Sequence, residues 1–369
     1  MPGRAALNYA PDHVLDREDG EAAVRLAFRR QAGWCRELRS PLTALVCDLA
    51  AERLDRSIPL GQRILDWPAQ PGAGADALAL RLAGGLHALA RRGHSGLAPC
   101  YPPHPLPGAA AMWDAMQAAL ADPALAPWLD RVPQTNEVAR SAALMAGLLV
   151  VAVETGLPLA LHELGASAGL NLLPDRYDIV LGGVQAGTPG SAVVLRPEWT
   201  GPPPPSAPVQ VVRRRGVDLT PLRVQDPADQ ERLRAYVWPD QPARVARLEG
   251  ALDIAAKDPP VVDTGDAADW TEANILLAPE PGVVRVLMHS VAFTYFPAPA
   301  QARIAAHLAA AGRRATTAAP LAWLRFEPPP GQLAPPSLRL QMWPGGTNRL
   351  LAVGGAHVHW IRWGADQPV

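Results

Sequence analysis

The chain has 369 residues, 49% hydrophobic and 19% charged, with 34 basic against 35 acidic side chains. So much apolar material excludes a disordered chain and suffices for two domains or one large one. A formal net charge of −1 argues against a nucleic-acid partner held by bulk charge.

Residues 1–20 carry Arg4, Asp12, Arg17, Glu18 and Asp19 with no apolar stretch between them, so no signal peptide is expected. From about Glu21 to Thr155 the apolar spacing is helical. Ala23, Leu26, Ala27, Trp34 and Leu38 begin it. Leu78, Leu82, Leu86 and Leu89 mark a later helix, and Met112, Met116 and Leu120 another. Val138 to Val153 is a strongly apolar last helix, and its uncharged part, Ser141 to Val153, is too short to span a bilayer. Cys35, Cys47 and Cys100 are an odd set at unremarkable spacing. They fit reduced thiols, a cytoplasmic location and no metal site.

After Gly156 short apolar runs alternate with helical ones. Strands are predicted at Leu157–Leu164, Val209–Val217, Pro260–Thr264, Val283–His289, Leu321–Phe326, Leu338–Met342 and Val358–Trp363. A short helix is read near residues 169–176 and a hairpin insertion within residues 177–208. Asp226-Pro227 reads as a cap and first turn of a further helix. The expected class is α/β: an all-helical domain, residues 1–156, followed by residues 157–369 as a mostly parallel sheet with an antiparallel edge.

The most informative stretch is Leu159 to Asn171, LALHELGASAGLN. A predicted strand ends in Glu163, Gly165 and Gly169 bracket Ser167, and Asn171 follows at the start of the next turn. Glycines there let backbone approach a bound group closely, and the next N-terminus offers N–H donors. This resembles the E-x-G-x-x-x-G loop of class I S-adenosylmethionine-dependent methyltransferases, which have a Rossmann-like sheet. The resemblance implies S-adenosylmethionine as cofactor, with Glu163 ordering the loop. It puts Asp218, at the tip of the second predicted strand, on the ribose. Asp266 and Ala267 come near adenine, and His289 faces the acceptor as a general base. The gap from Glu163 to Asp218 is longer than that family's usual helix and strand. The expected partner is a small molecule, with no nucleic acid and no membrane. The sequence does not indicate an oligomeric state.

Two competing readings share these residues. Gly165-Ala166-Ser167-Ala168-Gly169 also fits G-x-S-x-G, the nucleophile elbow of α/β-hydrolase esterases. A non-catalytic cofactor sensor of the same fold is the other. Upstream, Pro133 to Ser141 gathers polar groups before the apolar helix. Thr135 or Asn136 is expected to cap it, which sets Asn136 and Arg140 four apart on one face with Glu137 nearby. They reach either a carboxylate of the cofactor or substrate, or partners across the domain seam. His357 and His359 are read on one face of a strand.

Taken together, PQTNEVARSAAL, LHELGASAGLNL, EWTGPPPP, RGVDLTPL, YVWPDQP, DAADW, MHSVAFTYFP, LAWLRFEP and LQMWPGG resemble the bacterial family catalogued as domain of unknown function 2332, from about Phe28 to Trp363.

Overall fold

The computed structural model describes residues 20–329 and 334–364. The expectation for residues 1–20 therefore lies, except for Gly20, outside the described residues. The chain forms two compact units, Met1–Thr135 with Glu231–Val245, and Asn136–Gln230 with Ala246–Val369.

The first unit holds α1 (Gly20–Glu37), α2 (Pro41–Arg53), α3 (Pro59–Leu65), α4 (Leu78–Arg91), α5 (Ala109–Leu120) and α6 (Ala126–Leu129). Proline begins α2 and α3, where its missing N–H costs nothing. Phe28, Val46, Ile64, Leu82, Leu86, Met112 and Met116 fill one core. The 231–245 segment completes it. Tyr236 meets Trp128 edge-on, and Ala235 O bonds His87 Nδ1 at 3.1 Å. Burial drops the His87 imidazole to about 4. Asp240 accepts from Ser40 Oγ and, at 2.7 Å, from Leu42 N, so the start of α2 is satisfied by a residue far along the chain.

The second unit opens with α7 (Arg140–Thr155), which stops at Gly156 in the left-handed region. The seam expected near Gly156 falls inside this unit, because α7 packs on the sheet. Its 3.6-residue period identified a helix and carried no information about which layer it covers. The strands are β1 (Leu159–Leu164), β2 (Asp178–Leu181), β3 (Val184–Gly187), β4 (Val194–Leu195), β5 (Glu198–Thr200) and β6 (Val211–Asp218). After α8 (Pro227–Tyr236) and α9 (Pro242–Lys257) come β7 (Val261–Thr264), α10 (Ala267–Asn274), β8 (Val284–Ser290) and α11 (Ala298–Gly312). β9 (Leu321–Glu327), β10 (Ser337–Trp343), β11 (Asn348–Gly354) and β12 (Trp360–Trp363) close the chain.

Among the described residues, nine strands form one sheet ordered β5-β12-β11-β10-β9-β8-β1-β6-β7. β7, β6, β1, β8 and β9 run parallel, and β10, β11 and β12 continue antiparallel. This is a mixed α/β fold with a large, mostly parallel sheet and a helical N-terminal region. Strand order reverses between β1 and β8, and in open sheets ligands bind beyond the strand ends at such a reversal. β1 and β8 are buried along their whole length, as expected for strands covered on both faces.

Three local expectations change. The helix near 169–176 is two 3-10 turns, Leu170–Leu172 and Pro174–Arg176. The insertion is a small three-stranded sheet. β2 turns into β3 at Gly182-Gly183, and β4 lies parallel to β2. His357 and His359 lie in the turn before β12, with Val358 at φ 48, so they do not share a strand face. No described helix is long and apolar enough to cross a membrane.

Candidate functional site

The turn leaving β1 is set by three positive backbone angles: φ 65 at Gly165, 54 at Ser167 and 75 at Gly169. A Cβ on Gly165 would stand 2.6 Å from Ala292 Cβ, and one on Gly169 2.8 Å from Pro260 Cγ. Both positions therefore need glycine on steric as well as conformational grounds. Ser167 holds such an angle without being glycine, a strain of about 1–3 kcal/mol that surrounding bonds must hold in place. Those bonds come from β6. Ala166 N donates to Val217 O at 3.0 Å, and Ser167 N donates to Asp218 Oδ2 at 2.9 Å. Asp218 Oδ1 accepts from Thr220 N at 3.0 Å.

Glu163 lies at the end of β1, only 2% exposed. Burial, and then the charge of Asp218, push its carboxyl well above the usual range, with Arg140 pulling the other way. Glu163 Oε2 and Ser167 Oγ are buried with no hydrogen-bond partner. Orphaned buried oxygens are costly, and two around one turn mark a place where a bound group would supply what the chain does not.

The polar cluster upstream joins this turn, in a different manner from that expected. Asn136 precedes α7 and does not cap it; the N-cap position is Ala139, which has no side-chain bond. Asn136 Oδ1 instead accepts from Leu170 N at 2.9 Å, at the start of the 3-10 turn after Gly169. Asn171 Oδ1 accepts from Ser141 Oγ at 2.7 Å, and Tyr177 OH donates to Leu170 O at 2.7 Å. Glu137 Oε1 accepts from Ala139 N at 3.2 Å. Arg140 donates from Nη1 to Ser290 O at 3.1 Å and from Nε to Ala356 O at 3.3 Å. It thereby ties the start of α7 to the end of β8 and to the turn after β11.

Asp266 follows β7, whose Gly265 N bonds Asp218 O at 3.0 Å. Its carboxylate caps α10, accepting from Ala268 N and Asp269 N at 2.8 and 3.0 Å. Ala267, at the first helical position, keeps an N–H with no intrahelical acceptor. Replacing Asp266 by alanine is expected to cost about 1 kcal/mol, as for other lost caps. Thermal unfolding would measure it.

His289 belongs to the other face of the sheet. Glu163 is in register with Met288, so the next residue on β8 points the opposite way. His289 Nδ1 lies 2.7 Å from Glu327 Oε1, and Trp323 Nε1 donates to His289 Nε2 at 3.1 Å. An indole can only donate, so Nε2 accepts and the imidazole proton sits on Nδ1. With both nitrogens engaged and the ring fully buried, this side chain positions Glu327 and offers no open lone pair to an acceptor. Glu327 Oε1 also receives Ala292 N and Phe293 N at 3.0 and 3.2 Å. Burial pushes the Glu327 carboxyl up, but the hydrogen bond from His289 and these amides outweigh it and leave it below the usual value. Glu327 escaped the sequence reading. Its signal is an acid ending the fifth parallel strand, in RFEP. Among the described residues no group of three or more His, Cys, Asp or Glu is arranged to hold a metal ion.

The model of the family described as uncharacterized protein conserved in bacteria (DUF2332) matches residues 25–363. The chain belongs to this family. No curated protein and no solved structure matches it. The family match spans both units, so the β1 turn, the Asp218 tip and the Glu327 pair all lie within the family's own extent.

Proposed function

We propose that the protein is an S-adenosylmethionine-dependent methyltransferase acting on a small acceptor. The observation that carries this reading is the pair of orphaned oxygens, Glu163 Oε2 and Ser167 Oγ, in a glycine-bracketed turn beside the reversal of strand order. The parallel order third-second-first-fourth-fifth, with acids ending the first and second strands and following the third, supports the same cofactor class.

The residues fit such a cofactor by their donor and acceptor chemistry. Gly165 and Gly169 keep backbone open to close approach, and Glu163 orders the turn between them. Asp218 stands at the tip of β6, where its two oxygens hold Ser167 N and Thr220 N, and a carboxylate is the acceptor type that suits two ribose hydroxyls. Asp266 Oδ1 takes both α10 cap bonds, which leaves Oδ2 and the Ala267 N–H for the adenine. Asn136 and Asn171 brace the turn, and Arg140 is the cation for a carboxylate. When bound, the sulfonium supplies an already activated methyl group. The chain's part is to align an in-line attack and exclude water.

Calorimetric titration of the full chain with S-adenosylmethionine and S-adenosylhomocysteine tests this. Binding is expected for both, weakened at least about tenfold, or 1.4 kcal/mol, by Asp218→Asn. No binding at millimolar concentration would sink it.

One observation favours a serine esterase: Ser167 holds the strained positive φ that nucleophile elbows use. Against it, no described histidine bonds Ser167 Oγ. Covalent labelling of Ser167 by a fluorophosphonate probe would reverse the preference, and cofactor binding without turnover across an acceptor panel would favour a sensor.

A further inference from the structure

A cavity of about 410 Å³ opens beside β8, β9 and β10, lined by His289, Thr294, Gln301, Arg325, Glu327 and Arg339. The pairing of the strands sets its charge. Antiparallel β9 and β10 place Arg325 directly opposite Arg339, and parallel β8 and β9 place His289 in register with Arg325. Three nitrogen-bearing side chains thus form one row across the sheet. Like charges directly opposite on neighbouring strands are destabilising.

Among the described residues His289 meets Glu327, but no carboxylate pairs with either arginine of this row. Arg325 donates from Nη2 to the neutral Asn348 Oδ1 at 2.7 Å, and its Nε is buried with no acceptor. Arg339 forms no ion pair among the described residues. Elsewhere the chain pairs its arginines readily. Arg213 meets Glu280, Arg215 meets Asp263, Arg303 meets Glu272 and Arg349 meets Glu154, each at 2.7 Å. Burial, and then the charge of Arg339, bring Arg325 down to about 10. The Arg325 guanidinium is held 4.2 Å over the Trp323 ring, which fixes its plane without meeting its charge. One acceptor in the cavity is also unspent: Glu327 Oε2 is buried with no partner, while Oε1 takes three donors.

We propose that this cavity binds a small organic anion, a carboxylate or a phosphate monoester, through Arg325 and Arg339, with an amine or hydroxyl of the same molecule on Glu327 Oε2. Its volume is within the range of small-molecule sites. Planar forked donors suit both kinds of anion. The anion removes the repulsion across β9 and β10, and the donor group satisfies the oxygen that His289 and two amides leave over. The inference stands on this cavity alone.

The test uses the full-length protein, its Arg325→Gln and Arg339→Gln variants, and Arg349→Gln as a control that breaks the remote pair with Glu154. Inorganic phosphate, succinate and O-phosphoserine are titrated by calorimetry and by thermal unfolding. Wild type and Arg349→Gln are expected to bind at least one probe and to unfold at higher temperature with it. Arg339→Gln and Arg325→Gln are expected to bind that probe at least about tenfold more weakly. Arg339→Gln alone is also expected to raise the unfolding temperature without any probe, because it relieves the repulsion. A preference for succinate assigns the carboxylate source, and one for phosphate or O-phosphoserine the phosphate source. Equal probe affinity in all four proteins, or no response of wild type to any probe at about 20 mM, would overturn the proposal. S-adenosylhomocysteine titrations of the same variants read the β1 turn separately.

Discussion

Gly165→Val is expected to abolish S-adenosylhomocysteine binding and to lower stability by about 1–3 kcal/mol or more. Two effects add. A β-branched residue is forced to φ 65, and its Cβ is driven to 2.6 Å from Ala292 Cβ, which must retreat. Ala292 is anchored through its own N–H to Glu327, so the retreat disturbs both faces of the sheet. Gly156→Ala is the matched control. Gly156 has a similar φ of 64 but nothing within 4 Å of an added Cβ. It should lose stability of the order of 1 kcal/mol and bind the ligand normally. Thermal melts and titration of both variants decide the matter. Wild-type affinity in Gly165→Val would remove the β1 turn from the site.

The second large effect concerns Glu163, and its sign is opposite. The folded-state carboxyl lies well above its ordinary value of 4.5, chiefly because it is buried. The folded state therefore holds a proton that the unfolded state has already released. Wild-type stability should fall as pH rises from the ordinary carboxylate range through the raised folded value. Glu163→Gln keeps the shape and removes the ionisation. It should match the wild type at acid pH and exceed it above that window, by about 2–4 °C in unfolding temperature for each kcal/mol gained. Melts across pH 4–9 check this, and parallel curves for the two proteins would contradict it.

Much of this site could be read from residues in order. Glu163, Gly165 and Gly169 announce a strand, a turn and a close approach within seven positions, because each constraint there is local. Asp218 and Asp266 were placed by their position after apolar runs, and the sheet does bring the ends of β1, β6 and β7 side by side. What stayed hidden depends on distant partners. Asn136 reads as a helix cap until Leu170 N is brought to it across the fold. His289 reads as an available imidazole until Trp323 and Glu327, both more than thirty residues on, occupy its two nitrogens. The repulsion between Arg325 and Arg339 has no sequence signature, since it needs the register of a hairpin as well as its existence. β3 and β11 were missed because their runs, VQAG and NRLLAVG, lack clean alternation.

The return of residues 231–245 to the first unit bears on the order of assembly. Asp240 satisfies the start of α2, and Tyr236 covers Trp128, so a nascent chain that has emerged only as far as Thr135 lacks both. The first unit to be synthesised is thus the one that must wait. It closes only after β1 and β6, the first two parallel strands of the other unit's sheet, have left the ribosome. Closing so long a loop costs only logarithmically more than closing a short one, so the delay is one of time and exposure more than of final stability. During that interval the surface of α4 that Tyr236 covers at Gly84 stays open, the kind of transient apolar exposure that chaperones shield.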